Sequence, residues 1–457
     1  MDERTRRLLE APIVPTFVRL ALPNIIVMVV QSAVGLAEAY FIGMLGTDAL
    51  AGVTLVVPIL MLTQMMSAGA MGGGISSAVA RALGSGRGED ANALVWHAVA
   101  IALGFGIATT AIMVGGGHWI YRDAMGGRDG ALAAALTYSN VVFGGATLIW
   151  LFNSLANVVR GTGNMMVPAT VTLAGAVIVV PLSPVLIFGL GPFPALGVMG
   201  GAVASIGYYA LGCGALVWFI WGRRGVLRPA ARPHGLRWPL ARDILRVGLV
   251  ACLITVTTNL TVAVATALVS AQGPAAVAGY GVGSRLEYLL IPLAFGMGGP
   301  LVAMVGTAMG AGRRDRALRV AWIGAAFNGV LSEIIGLLAA AYPLAWLSWF
   351  GDDPIMLETG ARYLRIVGPA YGFFGVGMVM YFASQGAGKL KWPLIGGVLR
   401  LAIGTLGGWA GYRLAGTDGV FAALALALIV LGIVNAGAVH FRAWFEPADG
   451  KSKADRA

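Results

Sequence analysis

The 457-residue chain is 58% hydrophobic and only 11% charged, with a formal net charge of +11 and a mean hydropathy of +0.82. Soluble domains carry roughly 25% charged residues, so this composition belongs to a membrane protein. It excludes a soluble enzyme, a nucleic-acid binder and a secreted disulfide scaffold, while the 68 glycines suit closely packed membrane helices.

The charged opening stretch MDERTRRLLEAP, within residues 1–16, is expected to be a retained cytoplasmic arm and not a removed signal peptide. Twelve apolar segments follow, near 17–42, 49–80, 92–117, 131–158, 167–190, 196–221, 245–271, 275–309, 317–341, 359–385, 392–412 and 418–441. They are too long for strands and lack barrel alternation, so an all-α polytopic membrane protein with 12 transmembrane helices is predicted. The second and eighth segments exceed a bilayer's thickness and should tilt or extend beyond it.

Alternate loops divide the 31 Lys and Arg residues into 24 on one side and five on the other, with Arg285 and Arg400 inside segments. The asymmetry accounts for the net charge without a nucleic-acid partner and puts both termini in the cytoplasm. The chain also repeats itself. ALAG at 49–52 and LGSGRGEDA at 83–91 are echoed by AVAG at 276–279 and MGAGRRDRA at 309–317, and VRGTGNMMVP at 159–168 by SQGAGKLKWP at 384–393. Offsets of about 225 to 227 residues imply two parallel six-helix lobes, 17–221 and 244–442. A cytoplasmic linker at 222–243 joins them, and a cytoplasmic tail occupies 443–457.

Catalytic chemistry is missing. GAGKLK at 386–391 has the wrong spacing for a phosphate-binding loop, and neither G-x-S-x-G nor H-E-x-x-H occurs. His97, His118, His234 and His440 are scattered, Asp352 and Asp353 read as a solvated pair, and Cys213 and Cys252 support neither a disulfide nor a zinc site. No enzyme, metal or organic cofactor is therefore expected, and any work must draw on an ion or substrate gradient.

Charge inside a bilayer costs roughly 2.5–3.5 kcal/mol per residue, which makes the five intramembrane ionisable residues functional candidates. Asn24, Gln31 and Glu38 are spaced by seven on one face of the first helix, about 21 Å long at 1.5 Å per residue. Such a stripe should face a water-accessible cavity, with Pro23 able to bend the helix at its base. Partial desolvation disfavours a charged carboxylate, so Glu38 is expected to load and release a proton near physiological pH. The alternative is that Glu38 snorkels to the outer surface. Arg285, Glu287, Glu333 and Arg400 form either a structural charge network or a second ion or substrate site, with pairings unassigned. Tyr138, Asn153 and Asn157 line the first-half cavity or bond between helices. Met61, Met65 and Met66 are either an adaptable surface or ordinary packing residues.

The strings LALPNII at 20–26, AEAYFIGMLGTDALAG at 37–52, ARALGSGR at 80–87, RGTGN at 160–164, LGVMGGAVAS at 196–205 and VGTAMGAGRRDRA at 305–317 resemble the multidrug and toxic compound extrusion (MATE) transporters. The resemblance implies two pseudo-symmetric lobes around a central cavity. It also implies export of amphipathic, often cationic compounds against inward H⁺ or Na⁺ flow, in a bacterial-type inner membrane. It assigns the family's acidic coupling residue to Glu38, its bending proline to Pro23, and cavity residues to Gln31 and Asn157. Departures lie at Val179 and Ser183 before Pro184, and at Asn259 in the seventh helix. Most oxygen ligands of a Na⁺ site are thereby lost, which favours H⁺ as the coupling ion. The expected partners are a small-molecule substrate, a coupling cation and membrane lipids, with the protein a monomer. The alternative function is a flippase for a lipid-linked saccharide or related anionic lipid, for which only Arg285 and Arg400 offer positive charge.

Overall fold

The computed structural model describes residues 2–222, 224–232 and 235–445. Arg223 and His234 of the linker and the tail beyond Phe445 lie outside the described residues. A short arm helix, Glu3–Glu10, precedes the first span, Ile13–Gly43. The next spans are Thr47–Gly84, Gly88–Ala124, the bent pair Asp129–Gly144 and Ala146–Gly161, Met166–Phe188 and Val198–Trp221. After the linker come Trp238–Ser270, Pro274–Gly310, Arg314–Ala341 and Pro354–Ala387.

The last helical stretch, Lys391–His440, contains two spans. Ala415 and Gly416 leave helical geometry, and the Gly411 and Gly419 backbones meet so closely that neither position has room for a Cβ. The chain therefore reverses into a hairpin at 415–416. With the bent pair counted as one, the twelve predicted spans are all present.

The second and eighth spans are long, at 38 and 37 residues, as their apolar length required, and the third is equally long at 37. Helices form because each segment buries its backbone hydrogen bonds internally where no water can satisfy them.

The repeat is carried by the backbone as well as the sequence. Gly86 and Gly312 both take left-handed φ, 75° and 71°, and so do Gly163 and Gly388, 77° and 70°. Arg87 N bonds Ala82 O at 2.9 Å after the second span, and Arg313 N bonds Ala308 O at 2.9 Å after the eighth. Such caps satisfy the carbonyls left over at a helix end, and glycine adopts the turn without a Cβ clash.

By compactness the chain forms two units, Met1–Thr255 with Phe295–Ala317, and Val256–Ala294 with Leu318–Ala457. The division runs through the seventh and eighth spans because their arginine-rich ends pack on the second. Gly84 lies against the Thr307 backbone, and Gly310 against the Arg81 backbone, a reciprocal crossing between residues of matching repeat position. Arg81 Nη2 also pairs with Asp243 Oδ1 at 2.8 Å.

In the first unit, Met71, Ile75, Leu94, Trp150, Phe152 and Leu216 belong to one buried core, with Trp150 stacked on Phe105. The second unit is centred on Tyr280, Tyr363, Tyr371, Phe374 and Phe421.

The arm helix is anchored at both faces. Leu8 fills the space that a side chain at Gly163 would need. Arg313 Nη1 donates to Leu9 O at 2.8 Å, and Arg316 donates to Leu8 O at 3.0 Å and Ala11 O at 2.6 Å. Two guanidinium groups thus satisfy carbonyls at the negative end of the arm helix.

Candidate functional site

Glu38 lies half-buried near the end of the first span. Its Oε1 accepts the Tyr138 hydroxyl at 2.7 Å and Ser205 Oγ at 3.5 Å. Space for the carboxylate comes from Gly201, where a Cβ would sit 3.2 Å from Glu38 Oε1. Gly201, Ser205 and Tyr209 follow one another at single-turn intervals along the sixth span, so one helix face carries both the gap and the hydroxyls.

From Tyr209 the polar line continues inward. The Tyr209 hydroxyl is bonded to Gln64 Nε2. Gln64 Oε1 accepts Asn153 Nδ2 at 2.9 Å, and the same amide donates to Ser67 Oγ at 2.8 Å. Asn157 Nδ2 donates to Ala68 O at 3.1 Å and to Asn153 O at 2.9 Å. The second span takes a wider π-type turn over Met65–Met71 at this point. Such a turn disturbs the regular backbone ladder, and the Asn157 amide donates to a carbonyl within it, that of Ala68. Gly72 is abutted by the same amide, so the close approach depends on its missing side chain.

Asn153 and Asn157 are buried, and both donate hydrogen bonds to the second span. Tyr138 is a partner of Glu38. The first-helix stripe does not share one environment. Asn24 is buried with its Nδ2 3.6 Å from Met165 Sδ, Gln31 is exposed with Tyr208 as a neighbour, and Glu38 meets the hydroxyls. Pro23 lies inside a helix that continues past it. Met61 is 62% exposed, whereas Met66 packs on the first unit's core.

In the second unit, Arg400 Nη2 and Glu287 Oε1 form an ion pair at 3.2 Å, and the Tyr363 hydroxyl donates to Glu287 Oε2 at 3.2 Å. Arg400 is only 5% exposed and also faces the Phe374 ring. Glu333 stands apart, accepting Gly372 N at 2.7 Å just beyond the break in the tenth span at Gly368–Ala370. Arg285 is exposed, its guanidinium 5.5 Å from the Phe350 ring. The four charged residues are thus one buried pair and two separate groups.

Gln64, Ser205 and Tyr209 were missed from sequence. Gln64 was visible as an amide beside Met65 and Met66, and Ser205 lay within LGVMGGAVAS, but neither is ionisable. Among the described residues no group of three or more His, Cys, Asp or Glu is placed to hold a metal ion.

A family model described as MatE matches residues 23–185 and 249–409, one match in each half of the repeat. The FAD transporter of Shewanella oneidensis is 26% identical over 93% of this chain and 94% of its own. The probable multidrug resistance protein NorM of Thermotoga maritima is 26% identical over 83% of this chain and 81% of its own. Among solved structures, MATE in the bent conformation superposes with a TM-score of 0.89 at 22% identity, covering 97% of this chain and 98% of that one. An outward-facing multidrug resistance MATE family transporter of the MOP superfamily gives 0.86 at 22% identity over 97% and 98%. Two family matches across the repeat, on a twelve-span helical fold that agrees with solved members over nearly its whole length, make this chain a member of the MatE family, a multi-pass membrane transporter and not an enzyme.

Proposed function

We propose that this transporter is a proton-coupled antiporter that exports amphipathic, cationic small molecules, its two lobes alternating access between the two sides of the membrane. The observation that carries this proposal is the company Glu38 keeps. Its partners are the neutral hydroxyls of Tyr138 and Ser205, and among the described residues it is in no ion pair. A hydroxyl can donate to a carboxylate or accept from a carboxylic acid, so Glu38 can gain or lose a proton without abandoning its partners. Glu287 is differently placed, because protonating it would leave the buried Arg400 charge uncompensated.

In the proposed cycle, protonation of Glu38 removes its carboxylate charge from the first helix, which bends at Pro23 and releases substrate from the Gln31 side. The arginine count supports cytoplasmic termini, so substrate loading belongs to that side. The relative named as a multidrug resistance protein supports a broad substrate range.

A second reading has one observation in its favour. The FAD transporter relative aligns over 93% of this chain, which suggests an anionic cofactor as cargo. The anionic-lipid flippase is weaker, because Arg400 is already neutralised by Glu287.

The test is efflux of a fluorescent cation from reconstituted vesicles under an imposed pH gradient, then an imposed Na⁺ gradient. A response to the pH gradient that Glu38→Gln abolishes is the expected result. Full proton-driven efflux by a folded Glu38→Gln protein would overturn the mechanism, as would a response to Na⁺ alone. FAD movement without cation movement would favour the second reading.

A further inference from the structure

We infer that the arginine-rich end of the first unit carries a binding groove for the phosphate-bearing headgroup of an anionic phospholipid, independently of which compound is transported. The groove encloses about 520 Å³ between the start of the arm helix and the chain leaving the sixth span, and Arg4, Arg7, Arg224 and Arg228 line it with Asp2 and Glu3.

The two acids are already committed. Asp2 caps the arm helix, accepting Arg4 N at 2.9 Å, Thr5 N at 3.1 Å and Thr5 Oγ1 at 2.5 Å. Glu3 pairs with Arg7 at 2.5 Å. Among the described residues, Arg4, Arg224 and Arg228 are in no ion pair, and the lining sets two carboxylates against an excess of guanidinium groups. Their mutual repulsion favours an anion between them, and the fork of a guanidinium matches phosphate oxygens. The helix N-terminus is not the binder, since Asp2 occupies its N–H groups.

The position selects a lipid as the source of that phosphate. Arg224 lies over the Trp218 ring at 3.8 Å in the last turn of the sixth span, and Trp218 is 59% exposed. Trp96 and Trp221 pack edge to face nearby, and both indoles donate to Ala230 O, at 3.0 and 3.3 Å. Tryptophans at the end of a span mark the headgroup level of a bilayer. The loop bearing Arg228 is thus tied down at that level, beside the arm helix.

Native mass spectrometry of the purified full chain, exposed to phosphatidylglycerol or phosphatidylcholine, tests the assignment. Each basic residue at an anionic surface contributes roughly fivefold, so three give a preference on the order of 100-fold. Wild type should retain phosphatidylglycerol selectively, and Arg4→Gln/Arg224→Gln/Arg228→Gln should lose most of that preference. The equally discharged Arg122→Gln/Arg128→Gln/Arg413→Gln should keep it. Equal retention of the two lipids by wild type would overturn the inference without any variant. So would an unchanged preference in the first triple variant, or displacement of the lipid by millimolar inorganic phosphate.

Discussion

The Tyr138 hydroxyl donates to Glu38 Oε1 at 2.7 Å, joining the fourth span to the first at the carboxylate proposed to carry the proton. Tyr138→Phe keeps the ring and deletes this bond. A lost hydrogen bond to a charged group costs about 1.5–3 kcal/mol. Proton-driven efflux by Tyr138→Phe should therefore fall by about tenfold or more, and the thermal midpoint should drop modestly. Tyr121→Phe, which breaks the 2.8 Å bond to Ser139 instead, should retain most activity in the same vesicle assay. Equal losses in the two variants would separate the Tyr138 hydroxyl from coupling.

Asn157→Leu leaves the Ala68 carbonyl without the amide that reaches it. A buried group stripped of its partner costs about 1–3 kcal/mol, and the branched leucine must also fit against Gly72. The expected outcome is a lower midpoint of thermal unfolding in detergent. Unchanged stability would mean that water serves the carbonyl equally well.

The Arg400–Glu287 pair should respond differently to single and double substitutions. Removing one partner of a buried pair costs about 3–5 kcal/mol, whereas replacing both with neutral side chains is often tolerated. Glu287→Gln and Arg400→Met should each destabilise the protein strongly, and the double variant should recover most of the loss. Transport by the recovered double variant would mark the pair as structural, and its absence would assign the pair a part in the cycle.

Arg313→Ala/Arg316→Ala removes all three guanidinium bonds to the Leu8, Leu9 and Ala11 carbonyls. At about 1.5–3 kcal/mol per charged bond, less where solvent competes, the arm helix should detach. Faster amide hydrogen exchange over residues 3–10, with the membrane spans unaffected, is the expected measurement. Unaltered exchange would assign the anchoring to Leu8 alone.

Much of the fold was legible because a bilayer enforces it. Apolar length predicts a span, and the repeat read from the strings at 83–91 and 309–317 returns in the backbone as matching turns at Gly86 and Gly312. The hairpin at 415–416 was readable as two segments even though its helices join with hardly a loop. The site was legible only in part. An ionisable residue such as Glu38 stands out by its cost in lipid, but its partners are hydroxyls and amides that cost little alone. Ser205 and Gln64 matter through contacts between spans, and a single chain does not announce which polar residues meet. The same limit separated Glu333 and Arg285 from the Glu287–Arg400 pair. Glu333 proved to accept the Gly372 N–H just past the turn at Gly368–Ala370, a contact set by local geometry.

The π-type turn at Met65–Met71 has a consequence for every spacing argument along the second span. A π turn holds about one residue more than an α turn, and one residue corresponds to about 100° of helical rotation. Side chains on either side of it no longer obey a common wheel, so Gln64 and Arg81 cannot be assigned faces by counting fours and sevenths from one origin. Deleting one residue within 65–71 would let the segment close into a uniform α-helix. It would then turn either the amide cluster or the Arg81–Asp243 end away from its partner.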